Sequence, residues 1–288
     1  MKKKWLLYLL LVLLLYLAAF TVLSAEYSST TAVVTRYELS APLPEKLRIV
    51  QLTDLHNASF GEGNKDLVKQ IRDLQPDLIF LTGDMVNSNE RNISVLTGLL
   101  KKLVKIAPVY VSYGNHETSW EEAFERTLRE PIEETGATVL ELEYLDLELK
   151  GGAIRLGGLS GYYRAPVMTT ADPEQREREL QFADDFEDTT RYKILLSHIP
   201  TPWLDWEHRD EYQVDLVFCG HYHGGQIRLP LIGGLYAPNV GWFPPYTKGL
   251  YDDGGAAVVL SAGLSSNRSI PRINNPGEIV CIDLIPEK

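Results

Sequence analysis

The chain has 288 residues, of which 44 % are apolar and 23 % charged, ordinary globular values that exclude a disordered, collagenous or coiled-coil protein. Its 28 Lys and Arg against 39 Asp and Glu give a net charge of −11, and setting aside Lys2, Lys3 and Lys4 leaves 25 against 39, or −14, for the body. So acidic a surface repels a phosphate backbone and no basic patch offsets it, so no nucleic-acid partner is expected. Cys219 and Cys281 are too few for a disulfide framework or a four-thiolate zinc site, and both lie in apolar runs that read as buried free thiols.

Trp5 to Leu23 is a run of 19 residues in which only Thr21 is polar, close to the roughly 20 that cross a bilayer as a helix. A cleavable signal has a shorter apolar region, about 7 to 15 residues, so residues 1–24 read as a retained anchor. Lys2 to Lys4 precede the span and no basic cluster follows it, which places the N-terminus in the cytoplasm and the rest of the chain outside a single-pass cell-membrane protein. Residues 25–45, with Ser, Thr and Pro, read as a polar tether, and 46–288 as one folded domain.

From Leu47 onward strand and helix patterns alternate. Leu47–Leu52 reads as a strand, Lys65–Leu74 as a helix with Leu67, Val68, Ile71 and Leu74 on one face, Asp77–Leu81 as a strand, Ile93–Ile106 as a helix and Val109–Ser112 as a strand. That βαβαβ order predicts a parallel sheet. Helices are expected at Trp120–Arg129 and Pro173–Phe186, paired strands within Thr138–Ile154, and later strands at Ile194–Ser197, Leu216–Cys219, Ala256–Ser261 and Glu278–Leu284, so the class is α/β passing into α+β.

In such sheets chemistry sits beyond the carboxyl ends of the strands. After the first strand comes Thr53-Asp54-Leu55-His56, after the second Thr82-Gly83-Asp84, and after the third Gly114-Asn115-His116-Glu117. Ser197-His198 and Gly220-His221-Tyr222-His223 follow two of the later strands. Each piece alone is weak, since Gly-Asp is usually a turn and Asp-x-His arises by chance. Together they bring metal-ligand residues to one sheet edge, where structural use of so many desolvated polar groups would need unusually complete pairing. Asp54, His56, Asp84, Asn115, His198, His221 and His223 are too many ligands for one tetrahedral ion and suit two divalent ions sharing a carboxylate, with Mn, Fe or Zn matching this set of imidazole, carboxylate and amide donors.

These motifs, in this order, resemble the calcineurin-like metallophosphoesterase superfamily, with Asp-x-His, Gly-Asp, Gly-Asn-His-Glu, a lone His and Gly-His-x-His all present between Leu47 and Leu284. The resemblance implies a four-layer αββα sandwich behind the transmembrane helix. It assigns Asp54, His56 and His223 to one ion, Asn115, His198 and His221 to the other, Asp84 to the bridge, and His116 to the substrate phosphate as catalytic donor. The N-terminal anchor, Gly224-Gly225-Gln226 and Tyr246-Thr247-Lys248-Gly249 look like the bacterial membrane-associated phosphodiesterase branch, which includes UDP-2,3-diacylglucosamine pyrophosphatase-type enzymes. Asn87-Ser88 replaces the Asp-Arg of the protein phosphatase branch. The loop after Arg272 also departs from the branch pattern, which removes support for a substrate role there.

The expected reaction is hydrolysis of a phosphoester, with two ions roughly 3.5 to 4 Å apart activating a bridging hydroxide and neutralising phosphate oxygens. A lipid-linked or cell-envelope phosphodiester or pyrophosphate is the expected substrate. The alternatives are a general phosphomonoesterase, a mononuclear metal amidohydrolase, and a degenerate fold acting as a binding module. Tyr162, Tyr163, Arg164 and Trp242 are candidate substrate contacts, while Glu117 reads as a loop-orienting residue and His208 as a solvated one.

Overall fold

The computed structural model describes residues 2–149, 151–161, 173–204, 213–252, 255–266 and 270–287. The elements in chain order are α1 (Lys2–Thr30), β1 (Ala32–Ala41), β2 (Leu47–Leu52), α2 (Lys65–Leu74), β3 (Leu78–Thr82), α3 (Ser94–Leu103), β4 (Val109–Ser112), α4 (Asn115–Phe124), α5 (Arg129–Glu133) and β5 (Thr138–Val139). They continue with β6 (Glu143–Leu149), β7 (Gly152–Gly158), α6 (Pro173–Glu187), β8 (Tyr192–Leu196), α7 (Thr201–Leu204) and β9 (Leu216–Cys219). Four two-residue strands follow, β10 (Arg228–Leu229), β11 (Gly233–Gly234), β12 (Tyr236–Ala237) and β13 (Gly241–Trp242), then β14 (Gly249–Tyr251), β15 (Ala257–Leu260) and β16 (Gly277–Pro286).

Two six-stranded sheets form, in the orders β1-β16-β2-β3-β4-β5 and β14-β15-β9-β8-β7-β6, beside two two-stranded hairpins, β10-β11 and β12-β13. The expected parallel run β2-β3-β4 is present, as is a second one through β7, β8, β9 and β15. Alternation along each strand builds the layers. In β2, Leu47 and Ile49 face the second sheet, packing in a cluster with Phe80, Leu156, Ile194 and Phe218, whereas Val50 and Leu52 face α2 and α3, with Leu67, Ile71 and Leu99. On the outer side of the second sheet, Val217 and Leu260 pack on Phe182 and Phe186 of α6 and Trp203 of α7. Helices therefore cover both outer faces and the architecture is the αββα sandwich. Each fully buried Leu, Ile or Phe in these layers stabilises by about 1.5–3 kcal/mol. Gln51 crosses between the sheets beneath the site, its Nε2 donating to Thr82 Oγ1 at 2.8 Å and to the Cys219 carbonyl at 2.9 Å. Both cysteines are buried free thiols.

Two expectations are corrected. The tether assigned to 25–45 is ordered: α1 runs to Thr30, and Ala32–Ala41 is a full strand paired in parallel with β16, from Ala32 opposite Gly277 to Ala41 opposite Pro286. The strand lies at a sheet edge, where Arg36, Glu38 and Ser40 give it a polar sequence that resembles a linker. The helix expected from Trp120 begins instead at Asn115, where Glu117 in its first turn accepts from the Gly114 backbone N–H at 2.8 Å and caps it. Within α1, Lys4–Thr30 is long and apolar enough to cross a membrane, its most apolar 18-residue window having a mean hydropathy of 2.8.

Candidate metal centre

The loops after β2, β3, β4, β8 and β9 converge at one edge of the sandwich. Asp54, His56, Asp84, His198, His221 and His223 are all buried there, and Asn115 and His116 are half-buried at the start of α4. Three groups bring ligand atoms within 4.8 Å of one another: Asp54, His56 and His223; His56, Asp84 and His116; and Asp84, His198 and His221. Asp84 Oδ2 lies 3.1 Å from His198 Nε2 and 3.8 Å from His56 Nε2, so one carboxylate faces both sides of the cluster. His223 Nδ1 is 3.5 Å from Asp54 Oδ1.

The backbone is bent sharply to achieve this. Asp54, His56, Asp84, His221 and His223 all have φ between 47° and 70°, a region that costs a non-glycine residue about 1–2 kcal/mol and collects at functional sites. Two glycines permit the approach. A Cβ on Gly114 would sit 2.3 Å from Asp84 Oδ1, and one on Gly220 would sit 2.6 Å from Asp54 Oδ2.

Hydrogen bonds fix the imidazole tautomers. His198 Nδ1 donates to the Thr82 carbonyl at 2.8 Å, and His56 Nδ1 donates to Asn87 Oδ1 at 3.1 Å, which leaves each Nε2 lone pair facing the cluster. Asn87 is held the right way round because its Nδ2 donates to the His56 carbonyl and to Glu90 Oε1. The Asn239 amide lies 3.0 Å from His221 Nε2, and Asn275 Nδ2 donates to the His223 carbonyl at 2.7 Å. His116 differs from the others. Its Nδ1 accepts from the Ser88 backbone N–H at 3.1 Å, so the neutral ring carries its proton on Nε2, and its own backbone N–H donates to Asp84 Oδ1 at 2.8 Å.

Beneath Asp84, the buried Glu117 carboxylate accepts backbone N–H bonds from Asp84, Met85, Val86 and Gly114. Burial and the Asp84 charge nevertheless push it up to about 7. Burial, opposed by His198 and reinforced by Asp84, raises Asp54 to about 7. Asp84 carries the same burial penalty, but His198, His56 and His116 outweigh it and hold its carboxyl well below the usual range. Burial drives His56 down to about 4 and His223 well below the ordinary value. Burial lowers His198, but Asp84 and Asp54 outweigh it and raise it to about 10, so it offsets Asp84; His56 and His223 stay neutral beside the second buried carboxylate, Asp54, whose countercharge a cation supplies. Among the described residues, His56 Nε2, Asn115 Oδ1, His198 Nε2 and His223 Nδ1 are buried without a hydrogen-bond partner, which is the donor chemistry a divalent metal requires.

All seven candidate ligands and His116 thus meet at one place. Trp242 lies instead on the rim, 64 % exposed on β13, its ring edge-on to Tyr236 at 5.5 Å. Tyr162, Tyr163, Arg164 and His208 lie outside the described residues. Arg272 has no substrate role in this geometry, since its guanidinium is buried and clamps the carbonyls of Ala262, Ser265, Asn275 and Pro276. The supporting residues Asn87, Asn239 and Asn275 carried no sequence signal, because an asparagine in a loop is ordinarily a turn residue.

The comparisons with known proteins agree with this geometry. Residues 47–225 match the calcineurin-like phosphoesterase family. The chain is 30 % identical over 192 residues to the metallophosphoesterase YkoQ of Bacillus subtilis, covering 66 % of this chain and 65 % of that one, just under two thirds of its length. It is 29 % identical to YkuE of the same organism over 77 % of this chain and 73 % of that one. Against the phosphodiesterase YaeI of Escherichia coli the identity is 27 %, over 83 % of this chain and 82 % of the relative. With every family motif gathered at one edge of an αββα sandwich, the chain belongs to the calcineurin-like phosphoesterases.

Proposed function

We propose that the protein is a membrane-anchored phosphodiesterase that holds two divalent ions and cleaves phosphodiester or pyrophosphate bonds of lipid-linked or cell-envelope substrates. Asp54, His56 and His223 would hold one ion, Asn115, His198 and His221 the other, and Asp84 both. The observation that carries this reading is the position of Asp84, whose Oδ2 faces His198 on one side and His56 on the other. Bound ions would supply Lewis acidity toward the phosphate oxygens and the nucleophile. The neutral Asn115 oxygen leaves the site more positive than a further carboxylate would, which favours an anionic substrate. His116, with its proton held on Nε2 by the Ser88 N–H at Nδ1, donates to the phosphate or to the leaving oxygen, a contribution of about 10²–10⁴ in rate. Glu117 keeps the Asp84 and Gly114 loops in register. The N-terminal lysines support an anchor with the catalytic domain outside the cytoplasm, and the similarity to YaeI supports diesters over monoesters.

The full chain, purified in detergent, is to be assayed for bound metal and for turnover of bis-p-nitrophenyl phosphate and p-nitrophenyl phosphate. Close to two ions per chain with diester preference is expected. One ion per chain overturns the shared Asp84, turnover of the monoester alone favours a phosphomonoesterase, and no metal favours a degenerate fold.

A further inference from the structure

Between Asp215 and Asp252 the sequence contains no Asp or Glu, in a chain that has 39. Within that stretch two short hairpins project apolar side chains into solvent. The β10–β11 hairpin carries Leu231 and Ile232 at its tip, 108 % and 62 % exposed, and Trp242 and Phe243 at the end of the β12–β13 hairpin are 64 % and 67 % exposed. Large apolar side chains left this exposed mark a contact surface.

What covers them follows from where α1 meets the domain. The helix is exposed from Lys4 to Leu23 and is buried against the domain only in its last turns. There Ser24 Oγ accepts from the Asn274 backbone N–H at 2.6 Å and Ser28 Oγ from that of Asn275 at 3.1 Å. Asn274 Nδ2 in turn donates to the carbonyl of Arg228, the first residue of β10, at 3.0 Å. A single residue therefore connects the end of the apolar run to the base of the hairpin bearing Leu231. With Trp5–Leu23 in the hydrocarbon, the membrane surface falls at the level of Ser24, which is the level of that hairpin. The second hairpin leads to the metal centre, for Asn239 in its turn lies 3.0 Å from His221 Nε2.

We infer that Leu231, Ile232, Trp242 and Phe243 form a bilayer-docking platform that seats the mouth of the metal centre on the membrane holding α1. The inference rests on the anchored phosphodiesterase reading above and adds the surface that would present lipid-borne phosphoesters to the site. The residue types fit this place: aromatic rings favour the headgroup region, aliphatic tips the acyl boundary, and the missing carboxylates avoid repulsion by anionic lipids.

The full chain is reconstituted into nanodiscs of phosphatidylethanolamine and phosphatidylglycerol containing doxyl-labelled lipid, with a bimane fluorophore on Leu231→Cys and, for comparison, on Leu180→Cys of α6. The native thiols, both buried, leave a single accessible label site. Quenching several-fold stronger at 231 than at 180 is expected, and equal quenching overturns the platform. Self-crosslinking through 231 without quenching overturns it in favour of a second copy as occupant. A Leu231→Asp, Ile232→Asp variant should lose about tenfold in turnover of vesicle-embedded hexadecyl p-nitrophenyl phosphate while hydrolysing soluble bis-p-nitrophenyl phosphate at the wild-type rate. An equal loss on both substrates counts against the platform. Quenching at 231 in a wild-type chain that turns over neither diester leaves the platform standing and defeats the phosphodiesterase reading instead.

Discussion

The side chains from the first sheet and those from the second face one another across the same cluster, but different things hold them. On the first side, Asp84, Asn115 and His116 rest on Glu117, a buried carboxylate that ties two loops of its own sheet through four backbone N–H groups, and His56 rests on Asn87, another residue of the β3 loop. On the second side, His198 leans across to the Thr82 carbonyl of the first sheet, while His221 and His223 depend on the amides of Asn239 and Asn275, contributed by late loops. One wall is braced from within its own sheet and the other from outside. Damage to the first should therefore cost fold and site together, whereas damage to the second should mis-aim ligands in a chain that stays folded.

The largest effect is expected where the walls meet. Asp84→Asn removes the charge that faces both sides, so metal content and turnover should fall together, by more than the roughly 10–100-fold typical of losing an outer partner of a ligand. Metal analysis beside a turnover assay decides it, and a metal-replete Asp84→Asn protein with the wild-type rate would break the pairing of the two walls at this residue. His116→Ala should separate the two readouts. It removes a donor and no proposed ligand, so bound metal stays while turnover drops by about 10²–10⁴. Loss of metal in this variant would move His116 among the ligands, beside His56 at a ring separation of 4.7 Å.

How much of this was legible in the sequence follows the same division. The five motifs at the ends of β2, β3, β4, β8 and β9 were readable because each is contiguous and an open α/β sheet gathers strand ends at one edge. The parallel βαβαβ core was readable from periodicity, with β2, α2, β4 and β9 at the expected bounds. The braces of the second wall were not, since Asn239 is 18 residues and Asn275 52 residues from the histidines they support, and nothing local distinguishes them from turn residues. β1 was lost for another reason: its alternation of half-buried and exposed positions looks polar until β16, some 240 residues later in the chain, is seen beside it.

Glu117→Gln sharpens the claim that the first wall is part of the fold. An amide in this place offers one acceptor oxygen and turns an N–H₂ toward backbone donors that have no other partner. Leaving a buried donor unsatisfied costs about 1–3 kcal/mol, so a loss of about 3 kcal/mol in unfolding free energy is expected. Denaturant titration of the metal-stripped chain measures it apart from any effect on binding. An unchanged midpoint would mean that the two loops are held without Glu117, and the contrast between the walls would lose its main support.

The smallest effect, and the one that tests the second wall directly, belongs to Asn239→Ala. Its amide contacts His221 Nε2 from the turn of the β12–β13 hairpin, and a half-turn of that amide presents its oxygen to an Nε2–H, the tautomer that keeps the Nδ1 lone pair for a metal. Removing it takes away one of the contacts that orient the ring and set its tautomer, which should weaken metal affinity by about tenfold, the low end for loss of an outer partner. The hairpin is exposed around Val240 and Trp242, so the unfolding midpoint of the metal-stripped chain should stay where it is. Asn87→Ala is the matched change on the first wall. It removes the contact to His56 Nδ1 and also the two bonds from Asn87 Nδ2 to the His56 carbonyl and Glu90, so it should lower both metal affinity and stability. Metal titration and denaturant unfolding of the two variants side by side give the answer. A destabilised Asn239→Ala, or an Asn87→Ala that changes affinity alone, would show that both walls are braced alike.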